Sequence, residues 1–421
     1  MVPAIVLYVL LPSFQAWAWI HGQGFDPWEA IDASASILAF HWVAANTILA
    51  SRVPWFQSWL PHDRRLRLHI LSSIGLVVAV AWHGGYKILA GYEIDPVSWS
   101  LLAVFATTLG AAFLWIPVPP LDRLRAAVLR AVAKLRGLSY DAHKTFHHRA
   151  LVFLVGLVLL HVGRSDMLPD LHPAALAGYA LLAAGMLLYF FAGRSGLFRS
   201  RAVVDSVRLE GDVAVVELRP AKPGRHRGGQ FLYVGRKDAR GKSESHPFSI
   251  VSAASEPVVR FAARGLGDFS RGLARLKPGE ELEISHAFGD FGPRDGEEPV
   301  FVGTGIGVAP FVGILEEWRA RGDDRRVDLL VAGPTESEIP LLGRLRELAV
   351  ALPNLHLTVL ETSRTRERFT ADTLWRLVPN TACRRYYLCA SPPVRRGLVD
   401  ALRSLGVPRR AIVFESFSFA G

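Results

Sequence analysis

Apolar residues are distributed unevenly along this chain. Before residue 195 they form long runs: Val2–Ile20, Ala33–Ala50, Leu66–Leu89, Val97–Pro117, Thr145–Val162 and Pro173–Ala192. Each is close to the ~20 residues a helix needs to cross a bilayer, so the pattern predicts six transmembrane helices. From Ser200 the runs shorten and alternate. Val203–Leu209, Val213–Arg219 and Gln230–Val234 read as strands of an antiparallel barrel. From Pro299 strands and helices take turns, at Val300–Gly303, Pro310–Arg321, Val327–Ala332, Ile339–Ala351 and His356–Leu360. That order predicts a parallel sheet wound with helices. The expected fold class is a multi-domain membrane protein. It has an all-α six-helix transmembrane bundle at 1–195, an antiparallel β-barrel domain at 196–297 and an α/β nucleotide-binding domain at 298–421. The last boundary is expected in the polar stretch Pro293–Glu298.

Charge orients this picture. Arg52, Arg64, Arg65 and Arg67 make one basic loop, Arg123, Arg125, Arg130, Lys134 and Arg136 a second, and Arg194, Arg199 and Arg201 follow the last run. The intervening loops hold Asp26, Glu29 and Asp32, then Glu93 and Asp95, then Asp166 and Asp170. Positive loops stay inside, which predicts a multi-pass cell-membrane protein with both termini cytoplasmic and lipid as its surroundings. The first run begins at residue 2 without a cleavage pattern and is expected to be retained. Topology accounts for the net charge of +10, so no nucleic-acid partner is needed. Two cysteines, Cys383 and Cys389, make no disulfide framework and no zinc or iron–sulfur spacing.

Histidines inside apolar helices are costly unless used, and haem iron takes imidazole as an axial ligand. His69 and His83 are fourteen steps apart, which at ~100° per residue leaves them ~40° apart on one helix face. Their levels differ by ~20 Å, room for one haem near each membrane face. On a second helix His147 and His148 precede His161. His147 keeps the fourteen-step spacing, whereas His148 is thirteen steps away and misses by ~140° in an ideal helix. Spacing leaves both open. The remaining histidines, His41 among them, read as polar-contact residues.

Four motifs mark the second half. Gly229-Gln230-Phe231 precedes His246-Pro247-Phe248-Ser249, an aromatic bed with a hydroxyl for a flavin N5 and a histidine for phosphate or ribityl oxygens. Arg264-Gly265-Leu266-Gly267-Asp268-Phe269-Ser270 offers backbone donors and a hydroxyl to a pyrophosphate. Gly303-Thr304-Gly305-Ile306-Gly307-Val308-Ala309-Pro310 joins a strand to a helix and lets a dinucleotide approach closely. Tyr387-Leu388-Cys389-Ala390-Ser391-Pro392 ends a strand where a nicotinamide would lie.

In this order the motifs resemble the NADPH oxidase and ferric reductase family, which joins a six-helix, two-haem membrane domain to a ferredoxin reductase-like flavin and nicotinamide module. The resemblance covers nearly the whole chain. It implies FAD on His246, Pro247, Phe248, Ser249, Arg264, Gly267 and Ser270. It implies NADPH, or NADH, on Gly303, Thr304, Gly305, Gly307, Pro310, Cys389, Ser391 and Pro392. Ser363-Arg364 resembles the pair that holds a 2′-phosphate; the alternative is a solvated arginine beside Arg366 and Arg368. Two haem b groups are implied, the inner on His69 and His148, which Arg149 follows as in the family, and the outer on His83 and His161. Ser249, Cys389, Glu415 and Phe417 are implied around hydride transfer, with the ring gating the flavin, or Phe419 if the tail extends further. Two departures stand out: Cys389-Ala390-Ser391-Pro392 replaces the family's Cys-Gly-Pro, and Gly333-Pro334-Thr335 stands where an arginine often follows the second strand. The implied activity is electron transfer from cytoplasmic NADPH through FAD and haem to oxygen, forming superoxide. Ferric reduction, or electron supply to a quinone or partner protein, are the alternatives.

Overall fold

The computed structural model describes residues 5–21, 24–50, 62–115, 124–125, 127–128, 131, 140–164, 173–192, 197–222, 225–237, 243–364 and 368–415. The chain divides into two compact units, one ending at Leu197 and one beginning at Phe198.

Helices form where the apolar runs lie: α1 (Leu11–Ile20), α2 (Pro27–Ala50), α3 (His62–Leu89), α4 (Pro96–Trp115), α5 (Tyr140–Gly163) and α6 (Pro173–Ala192). Two of them start alike. Asp26 accepts the N–H groups of Trp28 and Glu29 ahead of α2, and Asp95 accepts that of Val97 ahead of α4. Each proline sits in a first turn, where its missing N–H costs nothing. Ala44 and Ala45 of α2 are fully buried, and Ile37 and Phe40 pack with Val155 of α5 and Met186 of α6.

The expected six-helix transmembrane bundle is corrected here. Among the described residues one helix, Leu68–Leu89, is long and apolar enough to cross a membrane. The apolar stretches Val6–Ile20, Pro96–Ala112, Arg149–Gly163 and Leu176–Ala192 fall short of that length. Over the second expected span, Ala33–Ala50, α2 turns its polar residues His41, Asn46 and Thr47 inward. Asp32 is a buried helical residue, not part of a loop.

The second unit opens with six strands: β1 (Arg199–Glu210), β2 (Val213–Pro220), β3 (Phe231–Lys237), β4 (Ser243–Ser249), β5 (Val259–Arg264) and β6 (Glu281–Phe288). They pair antiparallel in the order β4-β3-β6-β1-β2-β5. Ile250 then bridges to Phe261 of β5, which closes the sheet on itself. Val204, Val216, Leu218, Val234 and Phe261 fill the interior. A short helix, α7 (Asp268–Leu273), follows β5.

The nucleotide half contains β7 (Pro299–Thr304), α8 (Ala309–Arg321), β8 (Val327–Gly333), α9 (Leu342–Ala351), β9 (Leu355–Glu361), α10 (Ala371–Leu377), β10 (Arg385–Cys389), α11 (Pro392–Ser404) and β11 (Ile412–Glu415). Its sheet is parallel, in the order β11-β10-β7-β8-β9. The near-continuous burial of β7, β8 and β10 fits a sheet covered on both faces. Buried Arg384 pins β10 to β7, pairing with Asp328 at 2.8 Å and donating to the carbonyls of Glu298 and Pro299.

Barrel and nucleotide sheet share one core: Val213, Val215, Val251 and Ala262 pack with Phe301, Phe311 and Leu315. Their backbones touch. A Cβ on Gly313 of α8 would lie 2.1 Å from the Ile250 carbonyl, and one on Gly228 would lie 2.5 Å from the Ile314 Cα. Neither position has room for a side chain.

Candidate functional site

In an open parallel sheet, ligands bind at the carboxyl edge where the strand order reverses. Here that point lies between β7 and β10. Gly303, Cys389 and Glu415 stand level at the ends of β7, β10 and β11. The loop after β7 presses against the end of β10, since a Cβ on Gly307 would lie 2.1 Å from the Cys389 carbonyl. Thr304 and Gly305 lead into the turn, and Pro310 occupies the first turn of α8. Arg264, ending β5 of the barrel, reaches this loop: its Nη1 would stand 3.2 Å from a Cβ on Gly305. Asp212 holds the same guanidinium at 2.8 Å. Ser391 caps α11, which starts at Pro392.

Beside this edge the barrel supplies an aromatic surface. Ser249 ends β4, is buried, and stands opposite Phe231 of β3. Phe231 stacks on Phe288, ring centroids 5.8 Å apart. Gly289 turns there with φ +100°, and a Cβ on it would meet the Phe231 ring at 3.3 Å and Glu415 Oε1 at 3.7 Å. The register and these approaches together bring Ser249, Glu415 and Cys389 to one neighbourhood. Pro247 pairs with Tyr233, His246 with the Glu244 carboxylate at 2.7 Å. Phe269 joins two motifs, its ring 4.6 Å from His246 and 6.3 Å from Phe248. Ser270 is turned inward to its own helix start, accepting the Gly267 N–H at 2.9 Å.

Burial pushes the Cys389 thiol well above its ordinary pKa, and the nearby Glu415 charge adds to the effect against the opposing pull of Arg395. Cys389 is therefore a neutral thiol at physiological pH, a soft contact surface and not a nucleophile.

Arg364, beyond β9, is largely exposed and lies 3.6 Å from the Glu361 carboxylate. Ser363 donates its N–H to the Pro334 carbonyl at 3.0 Å.

In the helical unit, the His83 and His161 rings face each other at 6.3 Å between centroids, inclined by 72°. Their Nδ1 atoms are both engaged. His83 Nδ1 donates to Asp32 at 2.8 Å. His161 Nδ1 lies 3.1 Å from the Ser98 hydroxyl, which itself donates to Asp95 at 2.6 Å, so the imidazole is the donor. His69 lies close enough to His147 for their charges to interact, and its Nδ1 is buried without a hydrogen-bond partner among the described residues. The side chain of His148, and Phe417 and Phe419, lie outside the described residues. No cluster of three or more metal-ligating side chains occurs among the described residues. Sequence reasoning missed Asp32, Asp95 and Ser98 as partners of the histidines, because nothing local marks contacts 51 and 63 residues apart.

Comparison with known proteins agrees with the second unit. Residues 301–376 match the family described as the oxidoreductase NAD-binding domain. A probable dihydroorotate dehydrogenase B (NAD(+)) electron transfer subunit of Methanopyrus kandleri is 27% identical over 194 residues, 46% of this chain and 70% of that protein. The reductase component of propane 2-monooxygenase from Rhodococcus jostii is 24% identical over 49% of this chain and 60% of its own length. Dual oxidase 1 of Caenorhabditis elegans is 25% identical over 65% of this chain but only 20% of its own length. The chain thus spans part, not all, of these relatives. Among solved structures, a flavohemoglobin from Malassezia yamatoensis with bound FAD and heme shares the fold with a TM-score of 0.50 at 18% identity, covering 96% of this chain and 99% of that one. That likeness, too, replaces the expected six-span architecture. Residues 301–376 thus form an NAD-binding oxidoreductase domain, and the fold is that shared with the flavohemoglobin.

Proposed function

We propose that this protein is an NAD(P)H-dependent flavin oxidoreductase that passes electrons through FAD to b-type haem in the helical unit and on to a small acceptor. Oxygen is the first candidate, ferric iron the second. The observation that carries this reading is the His83–His161 pair. Their ring centres lie 6.3 Å apart, and they are the residues that would hold a haem iron, which would supply one-electron transfer there. With Nδ1 of each ring already donating, Nε2 is the nitrogen left to coordinate, and the outer partners fix its tautomer. His69 supplies a second pair, with His148 as the resemblance implies or with His147.

When bound, FAD exchanges a hydride for single electrons, and bis-imidazole haem supplies one-electron transfer. The chain's own residues do the positioning. Arg264 would hold the FAD pyrophosphate, the Gly303–Pro310 loop it reaches would hold the nicotinamide dinucleotide, the neutral Cys389 thiol would line the nicotinamide site, and buried Ser249 would offer its hydroxyl to the flavin edge. Glu415 would keep a carboxylate beside both. The dual oxidase likeness reaches into the helical unit, because 65% of the chain exceeds what the reductase unit alone supplies. The protein works at the cell membrane with its reductase unit cytoplasmic; supporting this are the helix Leu68–Leu89 and outward Leu71, Val78, Phe153, Leu181 and Phe191. A second reading, electron supply to a partner protein, draws on relatives described as an electron transfer subunit and a reductase component.

Reduced-minus-oxidised spectra of the purified full chain test the haem assignment, with a pyridine haemochrome assay for stoichiometry. Oxygen uptake with and without superoxide dismutase, against ferrous-chelator absorbance, then separates the acceptors. A flavin spectrum without haem bands sinks the proposal and leaves a flavin reductase.

A further inference from the structure

The dinucleotide edge holds a carboxylate whose place in the reaction has not been used. Glu361 is the last residue of β9 and stands level with Gly333, the last of β8. Its carboxylate is fixed, Oε1 accepting the Glu336 N–H at 3.0 Å and Oε2 lying 3.6 Å from Arg364 Nη1. Backbone bonds from Thr362 to Gly333 at 2.9 Å and from Ser363 to Pro334 at 3.0 Å tie the turn after β9 to the loop after β8. Two further carboxylates stand on that joined rim: Glu336, paired with Arg346, and Glu338, which accepts the Thr335 hydroxyl at 2.9 Å.

With the pyrophosphate over the loop after β7 and the nicotinamide at the β7–β10 crevice, the adenosine half runs the other way along the carboxyl edge, to the ends of β8 and β9. A free ribose 2′-hydroxyl has a natural acceptor in a carboxylate there. A 2′-phosphate brings close to two negative charges. It would meet three carboxylates, of which Glu336 is matched by Arg346 and Glu361 faces the exposed Arg364 guanidinium. We infer that this site selects NADH over NADPH and that Glu361 is the residue that decides. The inference rests on the proposed reading of this edge as the dinucleotide site.

The test is anaerobic flavin reduction in the full-length, FAD-loaded protein with each dinucleotide. NADH is expected to lead in kcat/KM by about tenfold or more, the scale of one charge-assisted contact. Glu361→Gln should shrink that lead by a similar factor by releasing Arg364 toward the phosphate, and Glu361→Gln with Arg364→Ala should take the NADPH gain away again. In the unmodified protein 5′-AMP should compete with NADH better than adenosine 2′,5′-bisphosphate does, a measurement independent of whether any variant folds. An NADPH lead, an unchanged ratio in flavin-loaded Glu361→Gln, or stronger competition by the bisphosphate each overturns the inference. Flavin that neither dinucleotide reduces overturns the dinucleotide-site reading itself, a separate failure.

Discussion

In the helical unit Leu71, Val78, Phe153, Leu181 and Phe191 are exposed while Asp32, His41, Asn46 and Thr47 are buried; in the reductase unit Phe261, Phe301, Tyr386 and Leu388 are inside. The reductase unit does bury charges, but it closes them. Glu316 is fully enclosed with Arg344 and Arg319 on its oxygens, and Asp328 is matched by Arg384. In the helical unit buried Asp32 is also closed, by His83 and Lys87, but half-buried His83 and His161 are engaged through Nδ1. Asp32 and Ser98 each satisfy one nitrogen of a histidine and leave the other for something else. A histidine held through one ring nitrogen is oriented with the other free to coordinate, which a closed ion pair is not.

The sharpest way to break this contrast is to remove an imidazole. His161→Ala or His83→Ala should abolish one haem and all delivery to the acceptor, while dinucleotide-driven flavin reduction in the reductase unit continues. Full haem content in either variant would end the assignment. Comparing His147→Ala with His148→Ala then identifies the partner of His69, since only the ligand's loss removes the second haem. Next in size is Gly307→Ala. The new methyl must displace the Cys389 carbonyl, and a shift of about 1 Å at the reacting centre costs about a hundredfold in flavin reduction. A rate within twofold of the parent would show that the loop does not hold the nicotinamide.

A smaller effect tests the scaffold side. Arg384→Ala leaves buried Asp328 with only the longer 3.7 Å approach of Arg326, which should destabilise the reductase unit by up to about 3–5 kcal/mol. Urea unfolding followed by flavin fluorescence measures this, and haem absorbance should hardly change; a loss below 1 kcal/mol by that readout would mean the pair is solvated. The smallest effect concerns the two cysteines. Cys383 is exposed, while Cys389 is buried with its thiol held protonated. Iodoacetamide at neutral pH should label one cysteine per native chain and two after denaturation. Native labelling of both would contradict the enclosed thiol.

Much of the reductase unit was legible because its signals are local. The alternation at Val213–Arg219 became β2, Val300–Gly303 lies within β7, and Val327–Ala332 within β8. The ends were less legible: Ile339–Ala351 begins as helix only at Leu342, after Leu341 takes a left-handed turn with φ 57°. Strands β4 to β6 carried weaker periodicity and are defined by their pairing. In the helical unit the apolar runs marked helices but not their surroundings. Hydropathy averages over a helix, and so it did not register that α2 turns Asp32 toward His83 and Asn46 toward Tyr8 and Ser72. Arg364 shows the same blindness: its charge was visible, but the carboxylate three residues earlier that faces it was not weighed.

The contact of Gly313 and Gly228 with opposing backbone has a consequence for how this protein can change. At these two points the halves of the reductase meet main chain to main chain, while around them the shared side-chain core fills the seam. The glycines therefore set how closely the two cofactor beds approach. A chimera that grafts a foreign nucleotide half onto this barrel must reproduce both glycines and the path of Ile250, or the crevice opens wherever the first methyl intrudes. Natural variation is then channelled to the rims, where Glu361 and its neighbours can be exchanged without disturbing that seam.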